Sequence, residues 1–298
     1  MCPFVQVGCS HSATARSYRH KVTGRAPIGI PEGSPMSVSL SPSLEFVLVT
    51  RLRAAGCVFA EDEARLIVSA ARTSDELASM LDRRVAGVPL EHVLGWAEFC
   101  GLRIAVDPRV FVPRRRTAFL VEQAAALACP RAVVVDLCCG SGAVGAALAE
   151  TLGDGIELYA VDIDPAAVRC ARRNVPDPGR VFEGDLYEPL PTTLRGSVDV
   201  LVANAPYVPT DAIRLMPPEA RFHEPRVSLD GGADGLDIQR RVALGARDWL
   251  APGGRLLIET SESQAPLTAE AFADAGLITR IETSEDMDAT VVVGADPR

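Results

Sequence analysis

The spacing of apolar residues first predicts a small bundle of helices, between residues 37 and about 92. Apolar side chains recur there every three to four positions, as in SPSLEFVLVTRLRAAG, AEDEARLIVSAA and SDELASMLDRRVAG. The stripe of the first predicted helix consists of Leu44, Val47, Leu48 and Leu52. Gly56 and Gly87 are typical helix stops, and Ser74 is a typical helix cap. The stripe reads as ordinary core and shows no residues suited to catalysis.

A second pattern covers residues 93 to 112. The apolar runs of HVLGWAEFCGLRIAVDPRVFVPR are shorter and are broken by Gly95, Gly101 and Pro108. Short runs separated by turn residues predict a β-hairpin, which would link the helical bundle to the rest of the chain.

From Pro113 onward, strand-like and helix-like segments alternate, which predicts βαβ units and a mostly parallel sheet. The candidate strands are Ala132–Cys138, Leu158–Ile163, Val181–Glu183, Val198–Asn204 and Arg255–Thr260. Candidate helices follow Gly142, Pro165, Gly235 and Gln264. At the end, LITRIETSED and ATVVVGAD are separated by a short break, so they predict an antiparallel pair.

Composition limits the classes of function. The 298 residues, 48% of them apolar, suffice for one large α/β domain and a small second domain. A net charge of −9 excludes bulk attraction to nucleic acid or to an anionic membrane as the expected mode of action. The compact candidate for a local basic patch is PRRRTAF at 113–119, with a solvated face as the alternative.

Cysteine usage and the first residues favour a cytoplasmic protein. The eight cysteines are scattered without a CxxC pair, so reduced thiols are expected. Cys2, Cys9, His11 and His20 fit no standard zinc spacing, and we predict no metal site. No run reaches the length of a membrane span. Residues 1–36 are rich in Arg, Ser, Gly and Pro and predict a disordered leader, either a transit peptide or an extension before Met36.

The segment AVVVDLCCGSGAVGAALAE combines a buried strand, a glycine turn and a helix. Glycines at 140, 142 and 145 spell GxGxxG, which lets the backbone approach a ligand and leaves free N–H groups at the helix start. This pattern predicts a cofactor that contains a nucleoside. The alternative is a glycine turn selected for tight packing of the helix on the strand.

Three acidic residues mark the ends of successive predicted strands. Asp162 stands where an acid usually holds ribose hydroxyls, and Asp136 precedes the glycines, which suits a cationic ligand such as the ammonium of S-adenosyl-L-methionine. Asp185 would face the adenine. Each acid alone would read as a helix cap or a solvated turn, but together they line the carboxyl edge of the sheet, where such folds bind ligands.

The fourth strand ends at a polar corner in VDVLVANAPYVPTD. We predict that the Asn204 side-chain oxygen and the Ala205 carbonyl accept the two N–H bonds of a planar amide, so that its nitrogen can pyramidalise towards a methyl group. Pro206 biases Ala205 towards an extended backbone, and Tyr207 would stack on the amide and exclude water. The alternatives are a capping turn residue for Asn204 and a packed rim aromatic for Tyr207.

Several segments together resemble the release-factor glutamine methyltransferases, which modify the N5 nitrogen of glutamine. They include GVPLEHVLGWAEFCGL, DPRVFVPR, DLCCGSGAVG, AVDIDPAAVRCARRN, GDLYEPLP, NAPYVP, HEPRVSLDGGADGLDIQRRV and LAPGGRLLIE. The resemblance covers most of residues 37–298. It implies an α/β fold with a seven-stranded, doubly wound methyltransferase sheet, a small N-terminal helical domain and a linking hairpin.

The resemblance also implies a cofactor, a substrate and their contacts. The cofactor would be S-adenosyl-L-methionine, and the substrate the glutamine of the Gly-Gly-Gln loop in peptide chain release factors. Cofactor contacts would map onto Cys138, Cys139, Gly140, Ser141, Gly142, Asp162, Asp185, Leu186 and Asn204. We add Asp136 to this set because it lies at the end of the strand, just before the glycine turn. Substrate contacts would map onto Asn204, Ala205, Pro206 and Tyr207.

The implied domains are a leader at 1–36, a helical bundle at 37–92, a hairpin at 93–112 and a methyltransferase domain at 113–298. We expect a cytoplasmic monomer of translation termination that binds a protein substrate and neither a membrane nor, as direct substrate, a nucleic acid.

The sequence departs from the family pattern at three places, and these keep other functions open. Cys138 and Cys139 replace Gly and Thr, RRRTAF at 114–119 replaces an Arg-Pro-Glu-Thr-Glu run, and NAPY replaces NPPY. One alternative is a nucleic-acid base N-methyltransferase using the same corner. A second is a non-catalytic paralogue. An NAD-dependent oxidoreductase is disfavoured because no catalytic His or Tyr–Lys pair stands in suitable context.

Overall fold

The computed structural model describes residues 41–298, except Asp154 and the side chain of Pro178. The predicted leader at 1–36 and the residues Cys2, Cys9, His11 and His20 lie outside the described residues. None of the helices within 41–298 has the length and apolar character that a membrane span requires.

Four helices form the N-terminal bundle, as the apolar spacing predicts. They are α1 Pro42–Ala54, α2 Ala60–Ala70, α3 Ser74–Val85 and α4 Leu90–Leu94. Leu48 and Leu52 are buried on one face of α1, as predicted. Val47 is 51% exposed, so its predicted place on that face is wrong, since one residue turns the helix by about 100° away from Leu48.

The cap of α3 lies one residue earlier than predicted. The Thr73 side chain accepts a hydrogen bond from the Glu76 N–H at 3.1 Å, and Ser74 is the first helical residue. The predicted cap at Ser74 is therefore wrong. Both hydroxyls are suited to capping, and the extended backbone of Thr73 selects it.

A two-stranded antiparallel hairpin follows the bundle, formed by β1 Trp96–Phe99 and β2 Leu102–Ala105. Asn174 fastens this hairpin to the following domain. Its side chain accepts from the Ala105 N–H at 2.9 Å and donates to the Ala105 carbonyl at 2.9 Å and to the Ser141 carbonyl at 2.8 Å. The hairpin is thereby fixed next to the glycine turn.

A seven-stranded sheet forms the centre of the remaining chain, which confirms the predicted fold class. Its strands are β3 Val133–Leu137, β4 Glu157–Asp162, β5 Val181–Glu183, β6 Val198–Ala203, β7 Leu250–Thr260, β8 Ile278–Ser284 and β9 Ala289–Ala295. They are ordered β5-β4-β3-β6-β7-β9-β8. The first five are parallel, and β9 runs antiparallel to both β7 and β8.

Helices cover both faces of this sheet. They are α5 Ala118–Leu127, α6 Ala143–Leu152, α7 Pro165–Asn174, α9 Asp237–Trp249 and α10 Ala265–Asp274, and a short helix, α8 Pro218–His223, lies between β6 and α9 along the chain. One apolar core contains residues of α5, α6, α7 and the hairpin, and the other contains residues of α9 and α10. The strand order reverses between β3 and β6, and ligands of such sheets bind at that point.

A buried ion pair connects the helical bundle to α8. Arg84 of α3 donates from Nε to Glu63 Oε2 at 2.6 Å and from Nη1 to Glu219 Oε1 at 2.6 Å. The side chains of Arg84 and Glu63 are almost entirely buried, whereas that of Glu219 is partly exposed. Arg84 therefore ties two bundle helices to a helix that follows β6 of the seven-stranded sheet.

We expect the substitution Arg84→Met to lower the free energy of unfolding by about 3–5 kcal/mol, because it leaves the Glu63 carboxylate buried without its partner. Urea unfolding followed by circular dichroism measures this change. The matched control is Arg51→Met, which removes the Arg51–Asp82 pair, whose side chains are 45% and 65% exposed. That change should cost less than about 1 kcal/mol. Equal losses in the two variants would contradict the structural role of Arg84.

Candidate active site

A cleft opens where the carboxyl ends of β3, β4, β5 and β6 meet. It is partly open to solvent and is lined by residues at or directly after the ends of all four strands. Ten of the predicted site residues line it: Asp136, Cys138, Cys139, Gly140, Ser141, Asp162, Asp185, Leu186, Asn204 and Pro206. Gly142, Ala205 and Tyr207 are not among the lining residues.

The glycine turn between β3 and α6 combines ligand access with packing. Gly140 has φ +55° and little around it, so its backbone is accessible to the cleft. Gly142 has φ +77°, and a Cβ there would stand 3.0 Å from Val175 Cγ2 and 3.1 Å from Ala171 Cβ. Gly142 thus serves the close approach of α6 to α7, a contact between helices and not the packing of a helix on a strand that was the alternative for this motif.

The two cysteines of the turn differ in exposure: Cys139 is buried, whereas Cys138 is partly exposed at the cleft. Burial raises the pKa of Cys138 and of Cys139, and the carboxylates of Asp162 and Asp136 raise them further. Cys138 also adopts φ +56°, a left-handed conformation that disfavours residues with a Cβ by roughly 1–2 kcal/mol. This conformation explains why glycine is the usual residue there in the family that the sequence resembles.

Asp136 is a buried acid at the centre of the cleft wall. It is 1% exposed, and its Oδ2 accepts from the Gly145 N–H at 2.9 Å. Burial raises the pKa of Asp136 to about 7, although the bond from Gly145 opposes the rise and the nearby Asp162 adds to it. No salt bridge to Asp136 occurs within the described residues. A cationic ligand group in the cleft would therefore stabilise its ionised form.

Asp162 ends β4 and is held in a fixed orientation. Its Oδ2 accepts from the Gly140 N–H at 2.8 Å, and its Oδ1 accepts from the Asp164 N–H at 2.8 Å. Burial raises the pKa of Asp162 despite these two bonds. Each carboxylate oxygen keeps a lone pair that can accept a bond from a ligand hydroxyl.

Asp185 has a partner that the sequence analysis missed. Arg241 of α9 donates from Nη2 to Asp185 Oδ2 at 2.7 Å, and both residues line the cleft beside Leu186. The two residues are 56 positions apart, so no local pattern reveals the pair. The role of Asp185 towards adenine stays a prediction.

Asn204 stands directly after β6 and lines the same cleft as Gly140. Its Nδ2 donates to the Thr117 hydroxyl at 3.3 Å, an interaction missed from the sequence. This bond turns the amide nitrogen towards α5 and leaves the side-chain oxygen as the atom available to accept. Ala205 is buried, and its neighbour Pro206 lines the cleft.

Tyr207 is held by its hydroxyl and by its carbonyl. The hydroxyl accepts from Arg116 Nη2 at 2.6 Å and donates to Glu259 Oε1 at 3.5 Å, and the carbonyl accepts from Gln264 Nε2 at 2.9 Å. Glu259 was also missed, although the buried run LLI followed by Glu in β7 resembles the pattern that identified Asp136.

The glycine-rich segment DGGADG, residues 230–235, packs against the same corner. A Cβ on Gly231 would stand 2.7 Å from the Pro206 carbonyl oxygen, and one on Gly235 would stand 2.3 Å from that of Tyr207. These distances exclude side chains at both positions. The segment therefore packs directly against the backbone of the corner.

The predicted basic patch at 113–119 is largely ion-paired. Arg114 donates to the buried Glu224 carboxylate, which also accepts from the Val112 N–H at 3.3 Å, and Arg116 pairs with Glu259. Arg115 is exposed. Two of the three arginines of this segment are therefore engaged with carboxylates of the protein, which reduces the positive surface that the segment offers to a polyanion.

The six cysteines in the described part of the chain are free. Within residues 41–298, no cluster of three or more His, Cys, Asp or Glu residues is arranged to hold a metal ion.

Comparison with known proteins supplies the family. Residues 114–230 match the model of the methyltransferase small domain. The release factor glutamine methyltransferase of Geobacter sulfurreducens is 39% identical over 208 residues, which cover 68% of this chain and 72% of that protein. The protein of the same name from Mycolicibacterium smegmatis is 38% identical over 207 residues, covering 68% and 73%.

Among solved structures, a methyltransferase from Pyrococcus furiosus aligns over 74% of this chain and all of its own, with a TM-score of 0.51 and 16% identity. That likeness concerns the fold. The identity to the curated relatives, over about two thirds of both chains, shows that the chain belongs to the release factor glutamine methyltransferase family.

Proposed function

We propose that this protein transfers a methyl group from S-adenosyl-L-methionine to the side-chain amide nitrogen of a glutamine in a peptide chain release factor. The observation that carries the proposal is that Asn204 and the glycine turn at Gly140 line one cleft. A group bound over the turn and an amide held at the corner are therefore neighbours. The names of the relatives supply the substrate class.

The groups that line the cleft suit the charge and the hydrogen-bonding groups of the cofactor. When bound, S-adenosyl-L-methionine supplies a methyl group that its sulfonium makes electrophilic. Asp136 offers a buried carboxylate for the ammonium, and Asp162 offers oriented oxygens for the ribose hydroxyls. The Gly140 turn keeps its backbone open to the ligand. Leu186 and the Asp185–Arg241 pair would border the adenine.

The corner provides what an amide nucleophile needs. The lone pair of a carboxamide nitrogen is delocalised, and two acceptors on its N–H bonds favour pyramidalisation and stabilise developing positive charge. Asn204 Oδ1 would be one acceptor and the Ala205 carbonyl the other. Alanine offers this carbonyl as well as proline does, so NAPY retains the function of NPPY. The proton can leave to water after transfer, and no strong base is required.

Three finer points belong to the same proposal. We infer that residues 37–92 form a helical domain, 93–112 a linking hairpin and 113–298 the methyltransferase domain. We also infer that the protein acts in the cytoplasm as a monomer. A nucleic-acid substrate is less supported, because the net charge is −9 and Arg114 and Arg116 are engaged with buried carboxylates.

The assay that tests this function uses purified release factor and S-adenosyl-L-methionine labelled in the methyl group. We expect label on the glutamine of the Gly-Gly-Gln loop, located by mass mapping of the modified peptide. A release factor with alanine in place of that glutamine is the matched control and should take up no label. Label on RNA or DNA, and none on the release factor, would overturn the assignment of a protein substrate.

We expect Asn204→Ala to lower kcat about 100-fold or more, because it removes one acceptor of the amide N–H bonds and disturbs the geometry for attack. The affinity for S-adenosyl-L-methionine should stay within about threefold, since Asp136, Asp162 and the Gly140 backbone are unchanged. Single-turnover kinetics and calorimetry measure the two quantities separately. Equal turnover of the variant and the native protein would remove Asn204 from the mechanism.

The ionisation of Asp136 makes cofactor affinity depend on pH. Its pKa is about 7 in the free protein, and a bound ammonium favours the charged form, so protonation competes with binding. Between about pH 7.5 and pH 5.5, where the ligand amino group remains charged, affinity should fall as pH falls, by up to about tenfold per unit below the pKa. Calorimetry with Asp136→Asn is the control and should give weaker, nearly pH-independent binding. A flat profile for the native protein would contradict this role of Asp136.

A further inference from the structure

We propose that Glu259 and Arg116 form a positioning pair that holds both ends of the Asn204–Tyr207 corner in register for methyl transfer. This inference rests on the proposed function and adds two residues to it. Neither residue lines the cleft, so neither is expected to touch the reacting atoms.

The sheet places Glu259 beside the corner. In the parallel pairing of β6 with β7, Ala203 lies opposite Ile258, so the next residues on the two chains are Asn204 and Glu259. Glu259 is 1% exposed. The register of the two strands therefore places the buried Glu259 residue next to Asn204, at the start of the corner.

Arg116 joins this carboxylate to Tyr207, the far end of the corner. Its Nε lies 3.3 Å from Glu259 Oε1, and its Nη2 donates to the Tyr207 hydroxyl at 2.6 Å. The hydroxyl in turn reaches Glu259 Oε1 at 3.5 Å. The guanidinium, the phenol and the carboxylate therefore form a closed triangle, which restricts the ring more than a single bond does.

The near end of the corner is tied to the same cluster through Thr117. This buried hydroxyl accepts from Asn204 Nδ2 at 3.3 Å and faces the Glu259 carboxylate closely enough to lower its pKa. No standard hydrogen bond joins Thr117 to Glu259 among the described residues: Oε1 accepts from Arg116 and Tyr207, and Oε2 has no partner. Because Arg116 and Thr117 are consecutive, one short segment before α5 contacts both Asn204 and Tyr207.

The free-energy cost of burying the Glu259 carboxylate indicates that this residue does more than stabilise the fold. Burial raises the pKa of Glu259, while Thr117, Arg116 and Tyr207 pull it down only in part. Glu259 is almost entirely buried and its Oε2 has no partner within the described residues, whereas the side chain of Arg116 is 43% exposed. Solvent screens such a half-exposed pair, so it offsets the cost of burying the carboxylate only in part. A group placed at such a cost, against the proposed substrate-binding corner, is explained by the orientation that it imposes on Asn204 and Tyr207.

The first part of the test separates positioning from cofactor binding. We expect Glu259→Gln, which is isosteric, to lower kcat about 10- to 100-fold, because small misplacements of reacting groups have effects of that size. The dissociation constant for S-adenosyl-L-methionine should change less than about threefold, because neither Glu259 nor Arg116 lines the cleft. Arg116→Ala should act in the same direction, and Arg116→Lys should recover part of the loss because it restores the cation.

The second part needs no substrate. The Glu259 carboxylate raises the pKa of the Tyr207 phenol beyond the effect of burial, and Arg116 lowers it. Ultraviolet titration of the phenolate should therefore show a lower pKa in Glu259→Gln and a higher pKa in Arg116→Ala, with Tyr207→Phe identifying the signal. Glu224→Gln is the matched control, since Glu224 is also a buried carboxylate paired with an arginine but is bonded to Val112 and Arg114. It should move the pKa of the phenol less than Glu259→Gln does, because it acts only through Arg114, whose influence on the phenol is weaker than that of Arg116.

Opposite phenol shifts together with a loss in kcat at constant cofactor affinity support the pair. Unchanged kcat in Glu259→Gln, or a phenol that responds equally to Glu224→Gln, would overturn it. If the native protein transfers no methyl group to release factor, the proposed function fails, and the titration alone then decides whether Glu259 and Arg116 hold Tyr207.

Discussion

The parallel pairing of β3 with β6 is the constraint on which the site depends. Leu137 lies opposite Ala203, so the residues that follow them, Cys138 and Asn204, leave neighbouring strands at the same level, about 5 Å apart. One strand continues into the glycine turn and the other into the NAPY corner. Since the strand order reverses at this pair, no crossover helix covers the gap between them. The cleft follows from topology, and its side chains only define its chemistry.

Three carboxylates are buried around this gap, and each is oriented by the backbone or by an arginine. Asp136 lies under the glycine turn, Glu259 lies beside the corner, and Glu224 anchors the segment that leads into α5. Burial raises the pKa of all three. Asp136 differs because no cation of the described chain pairs with it, whereas the other two face Arg116 and Arg114. The distribution suggests that one acid is reserved for a ligand and two are used to hold the protein around it.

The sequence predicted the sheet and ten of the residues that line the cleft, because those features follow local rules. Strands buried on both faces read as apolar runs, and acids directly after such runs collect at one edge. The predictions for Val47 and for the cap at Ser74 were wrong because a shift of one residue changes the face of a helix on which a side chain lies and the residue that caps it. Gly142 satisfied a ligand-binding pattern but contacts α7, since glycine serves close packing and ligand access alike.

The missing part of the site consists of contacts distant in sequence. Arg241 meets Asp185, and Arg116 meets Tyr207 and Glu259, across 56, 91 and 143 positions. No spacing rule connects such residues, because only the packed sheet brings them together. The departure from the family run at 114–119 was visible in the sequence, but its consequence became clear only when Arg114 and Arg116 were found against buried carboxylates.

The most direct measurement is a crystal structure of the protein with S-adenosylhomocysteine and a peptide containing the Gly-Gly-Gln sequence. The account predicts that the glutamine amide nitrogen donates to Asn204 Oδ1 and to the Ala205 carbonyl, on the side of the cleft lined by Gly140, while Asn204 Nδ2 keeps its bond to Thr117. A glutamine side chain bound elsewhere, or an Asn204 side chain that turns its oxygen towards Thr117 in the complex, would contradict it.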